Sequence, residues 1–416
     1  MRHARFSFAP TRLLTESLPG ACLVWLALAA CGLLYAGDDQ ATPASSSPTQ
    51  TVSLEYRELS YGATFWNLPL AIQSAAFKKE PPLGLRKVLR GTMKFGSGSD
   101  QYLPFIWDYG KGKLYLDLNR NQDLTDDAGG VYSCSQPVQY ANNYQTFNNI
   151  HLSFRTSGGS HPALVDLHLY NYGQPTASVA SRSYWMGKAL LGGREWQLGL
   201  IEDAASAPGS AERGYLLLRP WAERDQAFDL QNGSLDGLQF CRELFFDGQA
   251  YHLDCSYLDQ GGVPRYRVDL ERRTAELGEL RLTGKFIKRI LLQGSKFAVV
   301  MDQPEPVIKV PVGSYGHCQV QLKQGSSEAY RQVARFVSPH AADATRVSAT
   351  KPAVLTVGGP LTNSVVVNRH GRALNLSYQL VGAGGEFYQL LGARQQPEFA
   401  AYRAGKKIAS GKFEFG

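Results

Sequence analysis

The chain has 416 residues, of which 44% are hydrophobic, 11% aromatic and 19% charged, with 42 Gly, 21 Pro and 21 Tyr. That apolar content supports packed cores and the charge lies below the usual quarter, which excludes a disordered tail, a coiled coil and a collagen-like repeat. Abundant Gly, Tyr and Phe favour short strands joined by turns, so the expected class is mainly β, built as several sandwich-like domains with few short helices.

Arg2, Arg5 and Arg12 precede an apolar run from Ala21 to Ala36. The run is shorter than the roughly 20 residues a bilayer-spanning helix needs, and it suits a signal-peptide core. Residues 1–36 are therefore expected to direct export, with the folded part in the periplasm, on the outer surface or secreted. Two cleavage points compete. One follows Ala36, where Gly37, Asp38 and Asp39 restore polarity; the other precedes Cys31, where Leu28-Ala29-Ala30-Cys31 resembles a bacterial lipobox and implies a lipid-anchored Cys31. Residues 37–50, rich in Ser, Pro, Thr and Ala, read as a flexible spacer. Removing residues 1–36 takes away three Arg and one Glu, lowering the formal charge from +7 to +5. That mild positive charge outside the cell favours anionic glycans or lipid headgroups, and an envelope glycan or protein is the expected partner; the Lys and Arg are scattered, so nucleic acid is not.

A first β-rich domain is expected over 51–205. Ile150–Phe154 and Ala163–Tyr170 alternate as strands, the second with Leu164, Asp166, His168 and Tyr170 on one face and Val165, Leu167 and Leu169 on the other. A short helix is expected around Pro69–Phe77, ended by Pro81 and Pro82. Directly after the strand Leu114–Leu116 comes Asp117-Leu118-Asn119-Arg120-Asn121-Gln122-Asp123-Leu124-Thr125-Asp126-Asp127. A hard cation needs six to eight oxygens around a tight loop, and positions 1, 3 and 5 here are Asp117, Asn119 and Asn121. Asp123, Asp126 or Asp127 would complete the shell. The stretch resembles the EF-hand-like calcium loops of dockerins and integrin-type β-propeller repeats, and the strand-linked Asp-Leu-Asn loops of uncharacterised exported bacterial proteins. That resemblance implies a structural Ca²⁺. Two departures stand out: Gln122 replaces the usual Gly at the sharp bend, and Ala128 stands where an EF-hand has its bidentate Glu. The competing reading is an Asx-rich turn whose side chains bond their own backbone.

A second domain is expected over 214–336. Asp247-Gly248 between apolar runs signals a hairpin. In that register, numbers summing to 495 face each other, which brings Cys241 and Cys255 within one position of opposition. A bulge would make them a disulfide; two buried free thiols are the alternative. Lys309-Val310-Pro311-Val312-Gly313-Ser314-Tyr315 between strands resembles the late strands of transthyretin-like and carboxypeptidase-regulatory β-sandwiches. Ser327 is placed to cap a short helix running through Arg335.

A third domain is expected over 350–416. Leu374, Leu376, Tyr378 and Leu380 alternate with Asn375, Ser377 and Gln379, giving one buried and one wet face. Asn368–Gly371 and Ala404-Gly405 read as hairpin turns. The segment resembles a minimal Ig-like sandwich.

Other catalytic signatures are missing: no G-x-S-x-G elbow, H-E-x-x-H helix, P-loop or C-x-x-C occurs. His252 is placed to share a face with Asp254, and the Trp residues read as core. The sequence thus points to an exported, non-catalytic binding or structural protein. The alternative is a polysaccharide-acting hydrolase using carboxylates such as Asp117, Asp126 or Asp127.

Overall fold

The computed structural model describes residues 49–413 except 73–76, 84–86, 97, 99–100, 137–142, 207, 226–236, 332–343, 372 and 392–396. The export segment, Cys31 and the spacer up to residue 48 lie outside the described residues. The first strands are β1 (Thr49–Leu68), β2 (Leu70–Ile72), β3 (Val88–Lys94), β4 (Tyr102–Asp108), β5 (Lys113–Leu116), β6 (Val131–Ser133), β7 (Tyr144–Thr156), β8 (Gly159–Tyr172), β9 (Gln174–Leu191) and β10 (Arg194–Ile201). Then follow β11 (Tyr215–Pro220), β12 (Gly237–Gln239), β13 (Glu243–Phe246), β14 (Gln249–Gln260), β15 (Val263–Arg273), β16 (Leu277–Leu282), β17 (Ile287–Gly294), β18 (Phe297–Asp302), β19 (Val307–Pro311) and β20 (Gly313–Gln324). The last are β21 (Ser327–Arg331), β22 (Thr345–Val347), β23 (Ala353–Leu355), β24 (Thr362–His370), β25 (Ala373–Val381), β26 (Phe387–Leu391), β27 (Glu398–Arg403) and β28 (Lys406–Lys412). The protein is mainly β, as its composition requires, and its helical pieces are single 3₁₀ turns such as Ala128–Gly130 and Trp221–Glu223.

One hydrogen-bonded network joins most of these strands; separate sheets are β2-β3-β4-β5-β6, β19-β16-β23 and the hairpin β27–β28. Strands β1 and β9 link the regions. Thr49–Glu55 of β1 pairs with β15, and Glu55–Leu68 pairs with β9. In turn β9 pairs with β8 through its first half and with β10 through its second.

Among the described residues three large apolar cores stand out, because alternating residues reach opposite faces of each strand. The first gathers Val52, Leu54, Trp185, Trp196, Leu198, Leu253 and Tyr266. Another takes Leu280, Ile290, Val299, Ile308, Val310 and Val320 from the later strands. The third lies between the five-stranded sheet (Met93, Phe105, Trp107, Leu114, Leu116) and the inner face of β7–β9 (Phe147, Val165, Leu167, Leu169, Val179). The alternation read in Leu164–Tyr170 is thus correct for its apolar side.

Several local expectations need correction. Leu70–Ile72, placed in a helix by the sequence, is strand β2 paired with β3. Ser327 starts strand β21: Gly325, at φ +61°, turns the chain so that Ser327 opposes Gln324, and β26 takes the other edge. A capping signal is local and loses to two ladders of backbone bonds.

The Asp247-Gly248 hairpin forms in the expected register, Phe246 opposite Gln249. No bulge follows, since Leu253 N–H still bonds the Arg242 carbonyl. Cys241 and Cys255 therefore stay one position out of opposition and are free thiols, both packed against the first core. In β25 only Leu380 of the alternating set is buried, while Leu374 is 60% exposed. The β24–β25 hairpin pairs out to His370–Ala373 with its far end uncovered.

Candidate functional site

The acidic bend leaves β5 where Asp117 N–H bonds the Pro104 carbonyl, fixing Asp117 against the sheet with no exposed surface. Its carboxylate accepts two backbone N–H groups, from Asn121 (3.1 Å) and Gln122 (3.0 Å). Smaller Asx turns follow: Asn119 Oδ1 accepts Asn121 N–H at 3.0 Å and Asn121 Oδ1 accepts Asp123 N–H at 2.6 Å. The chain then returns over the outer face of the sheet, burying Leu124 with Ile106 and Tyr115. A bridge between Lys79 and Asp123 holds it there, and the Lys79 ammonium lies 2.8 Å from Asp123 Oδ2. That partner, with the Thr125 hydroxyl, lowers the Asp123 carboxyl to about 2.

The six predicted ligand residues therefore share one bend but not one point. Asp123 turns away to Lys79. Asp126 accepts from the Asn119 amide (3.1 Å) and the Asn121 amide (2.7 Å). Asp127 is 8% exposed; its carboxyl receives backbone N–H groups of Asn119 and Leu118, while its Oδ2 has no hydrogen-bond partner. Burial raises its pKa, and the neighbouring Asp117 charge adds to the shift. Among the described residues, no three His, Cys, Asp or Glu side chains converge as a metal-holding group. A Ca²⁺ shell also draws on amide and backbone oxygens, which this bend supplies at Asn119 and Asn121. Gly130 closes the bend: a Cβ there would stand 2.3 Å from the Leu116 carbonyl oxygen.

A second polar cluster, not legible in the sequence, surrounds Glu202 just after β10. Trp185 Nε1 donates to Oε2 at 2.8 Å, and Tyr266 OH (2.5 Å) and Gly209 N–H (2.9 Å) donate to Oε1. His161 Nε2 lies 2.9 Å from Oε2 but off the line of a good hydrogen bond, so that contact is chiefly electrostatic. Burial alone would raise the Glu202 pKa; the His161 charge and the surrounding donors reverse the sign and hold it below the ordinary glutamate range. Rings of His161, Trp185, Tyr257 and Tyr266 pack with centroids 4.6–6.4 Å apart. The cluster fastens the loop after β10 onto the first core.

A groove of about 820 Å³ opens on the outer face of β7–β8–β9–β1. Register sets its rows: Tyr144 opposes Tyr170, which opposes Thr176; Thr146 opposes His168, then Ser178, then Asn67. Tyr144 OH and Thr146 Oγ1 both contact His168 Nδ1, at 2.8 and 3.2 Å, and the two hydroxyls are 2.9 Å apart. The Tyr144 ring stacks on Tyr170 (5.0 Å), and Phe65 meets His168 edge-on (4.9 Å).

Of the remaining sequence candidates, His252 pairs with Glu243 (2.7 Å), whereas Asp254 faces Arg242 (3.5 Å). Trp107, Trp185 and Trp196 are buried, as expected, whereas Trp66 and Trp221 are half-buried. No helix among the described residues is long and apolar enough to cross a membrane. The chain matches no family model, no curated protein and no solved structure.

Proposed function

We propose that this chain is an exported, non-catalytic binding or structural β-protein of the cell envelope, with the Asp117–Asp127 bend ordered by Ca²⁺. The carrying observation is the buried Asp127 Oδ2, left without a donor beside the buried Asp117 carboxylate. Two adjacent buried carboxylates repel each other, and a divalent cation would relieve both. Asp117 and Asp127 with the amide oxygens of Asn119 and Asn121 would hold it, with Asp126 kept by the Asn119 and Asn121 amides and Asp123 by Lys79 as braces for the bend. The ion would supply charge neutralisation and order. The apolar run Ala21–Ala36 supports export, and the Leu28–Cys31 stretch supports a lipid anchor at Cys31. Mass spectrometry of the mature N-terminus separates a lipidated Cys31 from a free Gly37.

Calorimetric titration of the metal-free protein with Ca²⁺ tests the site. Wild type should release heat and melt at higher temperature with Ca²⁺ than with chelator, whereas Asp127→Asn should do neither. Equal melting of wild type with and without Ca²⁺, and no binding heat, would remove the ion from this reading.

A further inference from the structure

We infer that the groove on the outer face of β7–β8–β9–β1 is a binding subsite for a neutral saccharide. The inference rests on the make-up of that face and is independent of the acidic bend, with which the groove shares no lining residue.

One wall is aromatic: Phe65, Tyr144, His168 and Tyr170. Phe65 is 48% exposed, and Tyr172, two residues beyond Tyr170 on the same face of β8, is 71% exposed. Asn67, Thr176 and Ser178 bring an amide and two hydroxyls to the floor, and the lining carries no Asp, Glu, Lys or Arg. A ligand suited to this surface has apolar faces to lie against rings and several neutral donors and acceptors along its edges. A sugar ring has both: its axial C–H groups form a weakly apolar face and its hydroxyls radiate around the rim. A phosphate or uronate would find no cation in the lining. An acyl chain would strand the Asn67, Thr176 and Ser178 polar groups.

The polar side of the wall is fixed in place before any ligand arrives. Tyr144, Thr146 and His168 form a closed triangle of contacts, and Gln136 locks Thr146 by donating to its hydroxyl (3.0 Å) and accepting its N–H (3.0 Å). This leaves His168 Nε2 as the ring nitrogen available to a hydroxyl. Rings fixed on paired strands lose little freedom on binding, which favours affinity for a flexible, polar ligand.

The test uses the full-length protein and a panel of neutral hexasaccharides: cellohexaose, laminarihexaose, mannohexaose, maltohexaose and chitohexaose. At least one should bind by calorimetry, with a change in tyrosine fluorescence. Phe65→Ala and Tyr170→Ala should each weaken it by about tenfold or more, as expected for a lost aromatic contact. Asn67→Ala, a change at an exposed polar side chain, should weaken binding with no loss of structure. Absence of binding across the panel at millimolar sugar would overturn the inference. So would affinities unchanged in all three variants. Far-ultraviolet dichroism and the Ca²⁺ titration of the same samples report folding and the acidic bend separately, so the failure of one reading is distinct from failure of the other.

Discussion

His161 and Glu202 meet 2.9 Å apart inside the first aromatic core, an imidazole and a carboxylate brought together by strands β8 and β10. Glu202 also accepts from Trp185, Tyr266 and Gly209, so its removal strands several buried donors at once. Glu202→Ala should therefore destabilise the fold by about 3 kcal/mol or more, read as a shift of the denaturant midpoint. The folded pKa lies below the unfolded one, so this stabilisation is complete above about pH 4.5 and is lost as pH falls through the folded value. A variant whose midpoint matches wild type at pH 7 would show that the cluster is not a fastening.

Gln122 sits at φ +69°, a left-handed backbone that favours glycine. Gln122→Gly should stabilise the bend by about 1 kcal/mol, since relief of the strain outweighs the added freedom of the unfolded chain. The expected readouts are a melting temperature a few degrees higher and tighter Ca²⁺ binding. A lower melting temperature would mean that the Gln122 side chain contributes contacts beyond its strain.

Burial, with the Asp254 charge beside it, pushes the Cys255 thiol up to about 12, and burial also raises Cys241. With so little thiolate, Cys255 should resist iodoacetamide at pH 8 until the protein is unfolded. Peptide mapping without reductant should find both thiols free. A Cys241–Cys255 cross-linked peptide would contradict the register of β13 and β14.

Burial lowers the His168 pKa, and the Asp166 charge opposes the shift only in part. Asp166 is itself held by Arg182 and the Asn149 N–H. The ring should titrate below 6.5 when followed by proton NMR. Burial favours the neutral ring, so stability from the Tyr144–Thr146–His168 triangle is complete above pH 6.5 and declines as pH falls through the folded value. A ring titrating above 6.5 would place His168 in a wetter setting than the groove provides.

What the sequence revealed was local. Asp247-Gly248 marked its turn because only a few backbone shapes close a two-residue hairpin, and the apolar side of Leu164–Tyr170 followed from period-two alternation. Asp117, Asn119 and Asn121 announced an Asx-rich bend because their side chains bond backbone within five residues. Partnerships made at long range stayed hidden. Ser327 looked like a helix cap because Leu391, opposite Glu328 in the neighbouring strand, is over 60 residues away. Glu202 sits beside His161 and Tyr266 through pairings no spacing rule encodes. Asn67 and Tyr144 share a groove only because β8 and β9 come between them in the sheet.

The twenty residues of β1 pair with β15 over Thr49–Glu55 and with β9 beyond, with register shifts between Glu58 and Phe65. Their first residue, Thr49, adjoins the spacer that leads back to the proposed membrane anchor. The two partners of the strand, β15 and β9, come from separate stretches of the chain, so β1 closes both ladders at once. The same girder delivers Val52 and Leu54 to one core and Leu68 to another. Loss of β1 pairing would therefore unpack both cores together.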